Sequence, residues 1–419
     1  MSRPQVATCC HGSVTEPAAR GAVTLLRRAP GFRALWTARG VSFLGDSVGL
    51  VALLLYVADT VGTGAAVALL MLVGEVGPAL LSPLAGTVAD RFDLRRLMIG
   101  CELGQGLVMA VIAWRLPSLP VLLTLVAVRT TLAQLFAPAG RAALPRLVDD
   151  GELEAANAAI GVGTHGLDAG GPLVAAALLP WLGVRGVLAV DAVTFVLSAA
   201  VLLRLPRLPS ERTAADRSTG VWGETRAGLA VLLGHRRLRL VATAFWLGVL
   251  ATGLDDVVLV FLGKGPLHTG DAGVSLLYAG VGIGLLFGFT ALAGRHRIRR
   301  AAGAAGVALA GMAIAGAGNL LTGLAPVLAV AVGMQALRGA GLSLVEVGVN
   351  ATVARSVPRA VLGRVFATLY GGVSVAAASS YLLGGLLLGV LSPRAVLVLA
   401  GTVAIGVTAS CAVLLRRTE

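Results

Sequence analysis

The feature that most constrains the fold of this chain is a succession of twelve apolar stretches. A transmembrane helix needs about 20 apolar residues to cross a bilayer, and each stretch provides about that length. Short polar or basic turns separate most of them. We therefore predict an all-α integral membrane protein with spans near 36–58, 64–88, 95–115, 119–140, 155–181, 184–204, 238–262, 272–293, 301–323, 326–350, 362–389 and 394–415.

The composition argues against a water-soluble domain. Charged residues make up 13% of the 419 residues and hydrophobic residues 57%, whereas soluble domains carry about 25% charged residues. A net charge of +13 would suggest a nucleic-acid partner in a soluble protein. Here the basic residues lie in separated turns and only 5% of residues are aromatic. We therefore expect no nucleic-acid partner.

The distribution of arginine predicts the topology. The turns after even-numbered spans and both tails are rich in arginine, while each opposite turn holds at most one basic residue. The positive-inside rule then places both termini in the cytoplasm. The preference for arginine over lysine points to a bacterial source, and the expected location is the inner (cytoplasmic) membrane. The predicted division is a disordered cytoplasmic tail at 1–30, a six-helix bundle at 31–204, a cytoplasmic linker at 205–237, a second six-helix bundle at 238–415 and a tail at 416–419.

The two halves of the chain repeat one another at intervals of 204 to 213 residues. Asp46 in span 1 matches Asp256 in span 7, and Arg129 in span 4 matches Arg338 in span 10. Two basic turns match at similar intervals. Such agreement in register indicates an internal duplication, which is common among secondary transporters.

The turn between spans 2 and 3, Gly86-x3-Asp90-Arg91-x3-Arg95-Arg96, resembles the signature loop of the major facilitator superfamily. In span 5, Gly166, Gly170, Gly171 and Pro172 resemble the antiporter motif of exporters, although Ala175-Ala176 replace its closing glycine pair. Other matches resemble the drug exporter branch that includes macrolide efflux proteins and the enterobactin exporter: Phe32-Arg33-x2-Trp36, Gly45-Asp46, Phe136-x-Pro138-Ala139, Leu153-x2-Ala156-Asn157 and Asp191-x2-Thr194-Phe195.

This resemblance implies twelve helices in two pseudo-symmetric six-helix bundles, with spans 1, 4, 7 and 10 lining a central cavity. Charged residues inside a bilayer cost about 2.5–3.5 kcal/mol to insert, so those on the four lining spans are functional candidates. They are Asp46, Arg129, Asp255, Asp256 and Arg338.

Two interpretations of these charges remain open. Burial favours the neutral form of a carboxyl group, and a nearby arginine favours the carboxylate. On that basis Asp46 and Asp256 are the leading proton-coupling sites, and Arg129 and Arg338 are movable partners. Alternatively, the four residues form permanent ion pairs that hold helices together.

Three further residues are candidates for substrate contact: Glu75 in span 2, and His165 and Asp168 in span 5. Glu102 and Asp191 are assigned structural roles, because the resemblance implies that spans 3 and 6 pack on the outside.

The resemblance also implies a cytoplasmic gate at the signature loop. Asp90 would cap the helix of span 11 near Gly363-Arg364, since a helix N-terminus favours an anion. Gly86, Arg91, Arg95 and Arg96 would complete the gate, and the arginines would bind anionic lipid headgroups. Ordinary positive-inside anchoring explains part of this charge.

No catalytic, nucleotide-binding or metal-binding pattern stands out. Cys9-Cys10-His11 lacks a second ligand pair, and there is no nucleophile–base set or ATP-binding loop. We expect no enzyme activity and no metal, nucleotide or other cofactor, so a proton gradient supplies the energy. The expected function is antiport export of a hydrophobic or amphipathic small molecule, such as an antibiotic, by a monomer in the lipid bilayer. The alternatives are a lipid or lysolipid flippase, a siderophore exporter, and a non-transporting sensor or scaffold.

Overall fold

The computed structural model describes residues 24–75, 92–209, 221–293 and 303–416. Within these ranges the chain is helical and contains no strand. Two 3-10 turns lie at Leu144–Arg146 and Asp150–Glu152. The helices are α1 (Pro30–Thr60), α2 (Gly64–Glu75), α3 (Leu94–Arg115), α4 (Leu119–Ala143), α5 (Leu153–Leu202), α6 (Val221–Gly234), α7 (Arg236–Thr252), α8 (Asp255–Lys264), α9 (Gly270–Ala293), α10 (Gly303–Leu324), α11 (Leu328–Ser356), α12 (Arg359–Leu387) and α13 (Pro393–Arg416).

Ten helical segments in the described ranges are long and apolar enough to cross a membrane, and α7 and α8 together form one of them. The shorter α2 is also apolar; the rest of the predicted span 64–88 lies outside the described residues. The prediction of an all-helical, multi-pass membrane protein is confirmed at this level.

Two interruptions divide otherwise continuous helices. In α5 the backbone of Gly183 has φ 60° and ψ 179°, a conformation that glycine adopts at little cost. It separates two arms of α5 at the point where the sequence predicts a break between spans. The second interruption, at Gly253–Leu254, lies inside a predicted span and separates α7 from α8. It places Asp255 and Asp256 in the first turn of α8, where the free N–H groups and the helix dipole favour acidic side chains.

The helices pack mainly within two parts of the chain, which we call the first half (24–209) and the second half (221–416). In the first half α1 and α3 pack on α5. In the second half α9 and α10 pack on α11, and α13 packs on α10. The halves meet where α5 lies along α9 and α1 approaches α8. A further contact joins α2 to α12, where Gly385 faces Ala68 and Gly64.

A pair of tryptophans makes the internal duplication visible in three dimensions. The indole N–H of Trp36 on α1 donates to the carbonyl oxygen of Ala159, 2.9 Å away. Trp246 on α7 makes the same bond, also 2.9 Å long, to Leu369. Both bonds join residues 123 positions apart. Each half therefore ties the same two helices together in the same way.

Glycine contacts set the distance between helices in the second half, as is usual in membranes. At Gly339 on α11 an added Cβ would overlap the carbonyl oxygen of Val281 on α9 and lie 2.9 Å from the amide nitrogen of Leu285. At Gly333, on the same helix, an added Cβ would meet nothing within 4 Å.

Replacing Gly339 by alanine is therefore expected to destabilise the protein, by about 1–3 kcal/mol for overpacking. The matched change Gly333→Ala is expected to leave stability unchanged or slightly raised, because alanine is the better helix former. Thermal unfolding of the purified proteins in detergent measures both. Equal melting temperatures for the two variants would contradict the assigned packing.

Candidate functional site

An ion pair joins α1 to α4 in the first half. The guanidinium of Arg129 donates through Nη1 to Oδ1 of Asp46. The side chains are 14% and 32% exposed, respectively. Both charges therefore lie inside the helix assembly but on a partly open face.

A second ion pair occupies the corresponding place in the second half. Arg338 on α11 donates through Nη2 to Oδ1 of Asp255 on α8, at 2.7 Å. In both pairs the partners are 83 residues apart, and the pairs are 209 positions apart along the sequence. This pair is more deeply buried, with Asp255 fully enclosed and Arg338 only 6% exposed.

The position of Asp256 differs from the expectation. The sequence comparison matched Asp256 to Asp46, but Asp255 is the residue that contacts Arg338. Successive residues of an α-helix point about 100° apart, so only one of two adjacent aspartates faces α11. Asp256 instead faces a cavity between the halves.

Buried amides and hydroxyls extend the second pair along α10 and α11. The Gln335 amide donates to Thr322 Oγ1 at 3.1 Å, and the Asn319 amide donates to the carbonyl oxygen of Thr252 at 3.3 Å. All three polar side chains are at most 1% exposed. The sequence did not predict these buried hydrogen bonds. The feature that could have indicated them is an Asn and a Gln within apolar stretches.

The cavity between the halves has a volume of about 330 Å³. Residues of α1, α2 and α5 line one side of it, and residues of α8, α9 and α12 line the other. Its lining residues are Ser47, Leu50, Val51, Leu54, Met71, Glu75, Pro172, Asp256, Tyr278, Val281, Gly282, Leu285 and Tyr381.

Two carboxylates, one from each half, lie in this largely apolar cavity. Glu75 comes from α2 and Asp256 from α8. The hydroxyl of Tyr278 donates to the backbone oxygen of Asp256 at 2.5 Å, and that of Tyr381 reaches Asp256 Oδ2 at 3.4 Å. Among the described residues neither carboxylate has an ion-pair partner. The tyrosines were not predicted. All four tyrosines of the sequence lie within predicted spans, so the sequence alone does not single out Tyr278 and Tyr381.

Two acids that were assigned to the outside of the fold are in fact buried. Glu102 on α3 is 1% exposed and Asp191 on the second arm of α5 is 0% exposed. Both side chains face the interior of the first half because α3 and α5 pack on each other and α5 packs on α1. A helix on the periphery of a bundle still has one inward face, which the assignment overlooked.

The antiporter-like motif lies where α5 meets α1. A Cβ at Gly171 would overlap the side chain of Ser47, and Pro172 lines the cavity. Gly170 is near Leu44, since an added Cβ would lie 4.0 Å from its Cδ1. The structure describes only the backbone of His165, Gly166 and Asp168, so their predicted roles lie outside what it describes.

Part of the predicted gate can be located. Gly86, Asp90 and Arg91 lie outside the described residues. Arg95 donates to the backbone oxygen of Leu203. Arg96 donates its backbone N–H to Asp93 Oδ1 at 2.9 Å, which caps α3. Arg364 is exposed on the first turns of α12.

At the opposite end of the helices one lysine connects the two halves. The ammonium group of Lys264, at the end of α8, contacts Asp59 at the end of α1. It also lies 2.9 Å from Asp271 Oδ1 at the start of α9. Lys264 is the only lysine in the sequence. We call these three residues the lysine bridge.

Removing one partner of the buried pair is expected to cost much more than removing both. Arg338→Met would leave the Asp255 carboxylate buried without its partner, at about 3–5 kcal/mol. The double change of Asp255→Leu with Arg338→Met is expected to recover most of that loss. Denaturant or thermal unfolding in detergent measures both, and Arg355→Met, at an exposed position of α11, is the matched control. A double variant no more stable than Arg338→Met would contradict the pairing.

The lysine bridge predicts a change in amine reactivity. Asp59→Asn and Asp271→Asn should each speed the reaction of Lys264 with an acylating reagent, because each removes a carboxylate that holds its ammonium group. Mass spectrometry of peptides from the purified protein separates this product from that of the N-terminal amine. The control Asp149→Asn changes an exposed carboxylate elsewhere. Unchanged rates in both bridge variants would mean that the bridge does not form in solution.

The sequence has relatives among membrane transporters. The uncharacterized MFS-type transporter YfiS of Bacillus subtilis (strain 168) is 26% identical over 381 residues, which are 87% of this chain and 88% of that protein. Macrolide efflux protein A of Streptococcus pyogenes is 24% identical over 215 residues, covering 49% of this chain and 52% of that protein.

The fold is shared with solved transporters of low sequence identity. The nucleoside transporter NupG superposes with a TM-score of 0.74 at 11% identity, covering 92% of this chain and 98% of that one. A POT family transporter superposes with a TM-score of 0.69 at 14% identity, over 92% and 96% of the two chains. Residues 35–330 match the family model of the Major Facilitator Superfamily. This chain is therefore a member of the Major Facilitator Superfamily of membrane transporters.

Proposed function

We propose that the protein is a secondary active exporter that exchanges protons for an amphipathic small molecule, such as an antibiotic. The observation that carries this proposal is the charge pattern around the cavity. Asp46 and Asp255 are each neutralised by an arginine, whereas Glu75 and Asp256 line the cavity without an ion-pair partner among the described residues. A transporter that binds either protons or a basic substrate needs such uncompensated carboxylates.

The proposed architecture is twelve membrane-spanning helices in two six-helix bundles. In the first half α1, α2, α3 and α4 would supply four spans and the two arms of α5 two more. In the second half α7 with α8 would form one span, followed by α9 to α13. The repeated tryptophan bonds and ion pairs support this two-fold plan.

The volume and lining of the cavity favour a small, partly basic substrate. Binding sites for small molecules usually have volumes of about 300–1,000 Å³ and are lined by apolar side chains with a few polar groups. The leucine, valine and methionine side chains of this cavity would hold an apolar body, and its two tyrosines offer aromatic faces, which attract cations. Glu75 and Asp256 would hold a basic amine. The efflux activity of the macrolide relative agrees with this direction and substrate type.

Exchange would follow from competition for the same carboxylates. A protonated Asp256 is neutral and offers little to a cationic amine, whereas the ionised form attracts it. Protons entering from the side of higher proton concentration would displace the substrate there. Deprotonation on the cytoplasmic side would restore the binding form. Asp46 would contribute a second proton site whenever a helix shift withdraws Arg129.

The contacts between halves support an alternating-access cycle. The lysine bridge and the close approach of Gly385 to Gly64 and Ala68 join the halves at one end of the helices. The positive-inside rule assigns this end to the outside of a bacterial inner membrane, with both termini in the cytoplasm. The described conformation would then be closed toward the outside.

Expression in an efflux-deficient bacterial host tests the proposal. The wild type should raise the growth-inhibitory concentration of at least one basic amphipathic compound in a panel of antibiotics and dyes. Asp256→Asn and Asp46→Asn should each abolish that protection, because an amide neither takes up a proton nor attracts an amine. The control Asp149→Asn should protect as the wild type does.

Proteoliposomes with an imposed pH gradient then test the coupling with the most strongly exported compound. Export by the wild type should stop when an uncoupler collapses the gradient. If transport ignores the gradient, proton exchange is wrong and flippase-like transport is favoured. If both aspartate variants keep gradient-driven export, these residues do not couple protons to transport.

A further inference from the structure

The first half contains a buried carboxyl group that has no ion-pair partner among the described residues. Asp191, on the second arm of α5, is 0% exposed, and neither of its carboxyl oxygens has a hydrogen-bond partner within the described ranges. The neighbouring Thr194 hydroxyl donates to the backbone oxygen of Asp191 at 2.7 Å. The ionised form of an isolated carboxyl group is strongly disfavoured in such an environment, so a group of this kind normally becomes neutral. A group held neutral at neutral pH carries a proton.

The carboxyl group of Asp191 points at α1 beside Asp46. At Gly45, the residue before Asp46, an added Cβ would lie 2.7 Å from Asp191 Oδ1. At Gly49, one turn further along, it would overlap Asp191 Oδ2. The two glycines thus create the space that the Asp191 carboxyl group and the Thr194 side chain fill. Among the described residues no group of three or more His, Cys, Asp and Glu side chains is arranged to hold a metal ion.

Among the described residues, one guanidinium, that of Arg129, lies near three carboxyl groups in this region. Asp46 on α1 holds the ion pair with Arg129 on α4. Asp191 lies close enough to both of them to interact electrostatically. Glu102 on α3 interacts with both aspartates, lies beside Ser42 and Ser198, and has the Cys101 thiol as its neighbour. The single positive charge of Arg129 offsets one carboxylate, so two protons are needed to neutralise the other two groups.

The second half contains no counterpart to these two acids. The interval of 209 residues that relates the ion pairs takes Glu102 to Gly311 and Asp191 to Ala400. Ala400 is a buried hydrophobic residue, and an added Cβ at Gly311 would lie 2.6 Å from the carbonyl oxygen of Gly341 on α11. The second half thus forms the corresponding helix contacts with apolar close packing at these two positions. The acids of the first half are an addition that the fold itself does not require.

We propose that Asp191 stores a proton and exchanges it with Asp46 as Arg129 moves from one carboxylate to the other. This inference rests on the proposed proton coupling. It places the stored proton at the interface of α1, α3 and α5 rather than in the cavity. Asp191 transfers its proton to the Asp46 carboxylate, which becomes neutral, and the new Asp191 carboxylate becomes the partner of Arg129. One proton and one ion-pair partner change places, so the total charge is unchanged. Glu102 stays protonated during the step.

Infrared spectroscopy of the full-length protein in proteoliposomes tests the stored proton directly and requires no substrate. The wild type at neutral pH should show the C=O stretching band of a protonated carboxyl group. Asp191→Asn, which keeps the shape of the side chain, should lose one carboxyl group's share of that band. The control Asp149→Asn should leave the band unchanged. An Asp191→Asn band identical to that of the wild type would overturn the proposal.

Two further measurements keep the test decisive if the variant does not fold. Labelling with aspartate that carries carbon-13 in its side-chain carboxyl should shift part of the band both in the wild type and in Asp256→Asn. A band from Glu102 would not move, and a band from Asp256 would move only in the wild type; either result would overturn the proposal. Replacing sodium chloride with choline chloride should have no effect, and a band that sodium ions remove would overturn the assignment to a proton. The infrared measurements detect the protonated carboxyl group without any transport. Loss of the predicted band change would therefore overturn this inference, whereas loss of export would bear only on the proposed exporter.

Discussion

The structure depends on how carboxylates are neutralised between tightly packed helices. In a medium of low dielectric constant an isolated charge is expensive, and an arginine in contact with it recovers much of that cost. In the second half Arg338 contacts Asp255, and buried amides and hydroxyls continue the polar region. The neighbouring Asp256 lines the cavity without an ion-pair partner among the described residues. The first half has a corresponding pair and adds two buried acids, Glu102 and Asp191, with no further buried base among the described residues. The two halves therefore share the ion pair and differ in the acids around it.

The acids occupy two separate places in the fold. The cavity is lined by one carboxylate from each half, Glu75 and Asp256, whereas Asp191 packs against Gly45 and Gly49 of α1. Glycines make this separation possible. Gly45 and Gly49 let α5 approach α1, and Gly171 brings the first arm of α5 against Ser47 beside the cavity. Carboxyl groups and glycines thus occur together because the glycines allow the helices that carry the carboxyl groups to approach closely.

Much of the fold could be predicted because the bilayer imposes length and polarity on each helix. The predicted break between 181 and 184 falls at Gly183, and most helix ends agree within a few residues. The rotation of a helix about its axis could not be predicted in the same way. Apolar residues surround most spans, so the sequence has little periodicity that distinguishes an inward face from a lipid face. For this reason the sequence predicted the positions of Glu102 and Asp191 along their helices but missed that both face the core.

The difficulty of predicting helix rotation also explains why the sequence matched Asp256, and not Asp255, to Asp46. The interruption at Gly253–Leu254 resets the helix phase just before them, and the repeat alone allows either to match Asp46. Residues that act through long-range contacts, such as Tyr278 and Tyr381, were also missed, because each meets Asp256 from a different helix. Pairings of this kind depend on tertiary packing, which short sequence patterns do not encode.

The use of a lysine in the bridge between the halves bears on the speed of the proposed alternating-access cycle. An arginine fork at this position would form two parallel hydrogen bonds to one carboxylate and hold the halves in one geometry. The ammonium group of Lys264 is a compact, strongly hydrated charge, placed between Asp59 and Asp271. Such a half-exposed pair contributes at most about 1 kcal/mol, comparable to thermal energy. The contact therefore joins the halves without holding them rigidly. In the proposed alternating-access cycle it lies at the end that would reopen in each turnover, where a readily broken contact lets the halves separate quickly.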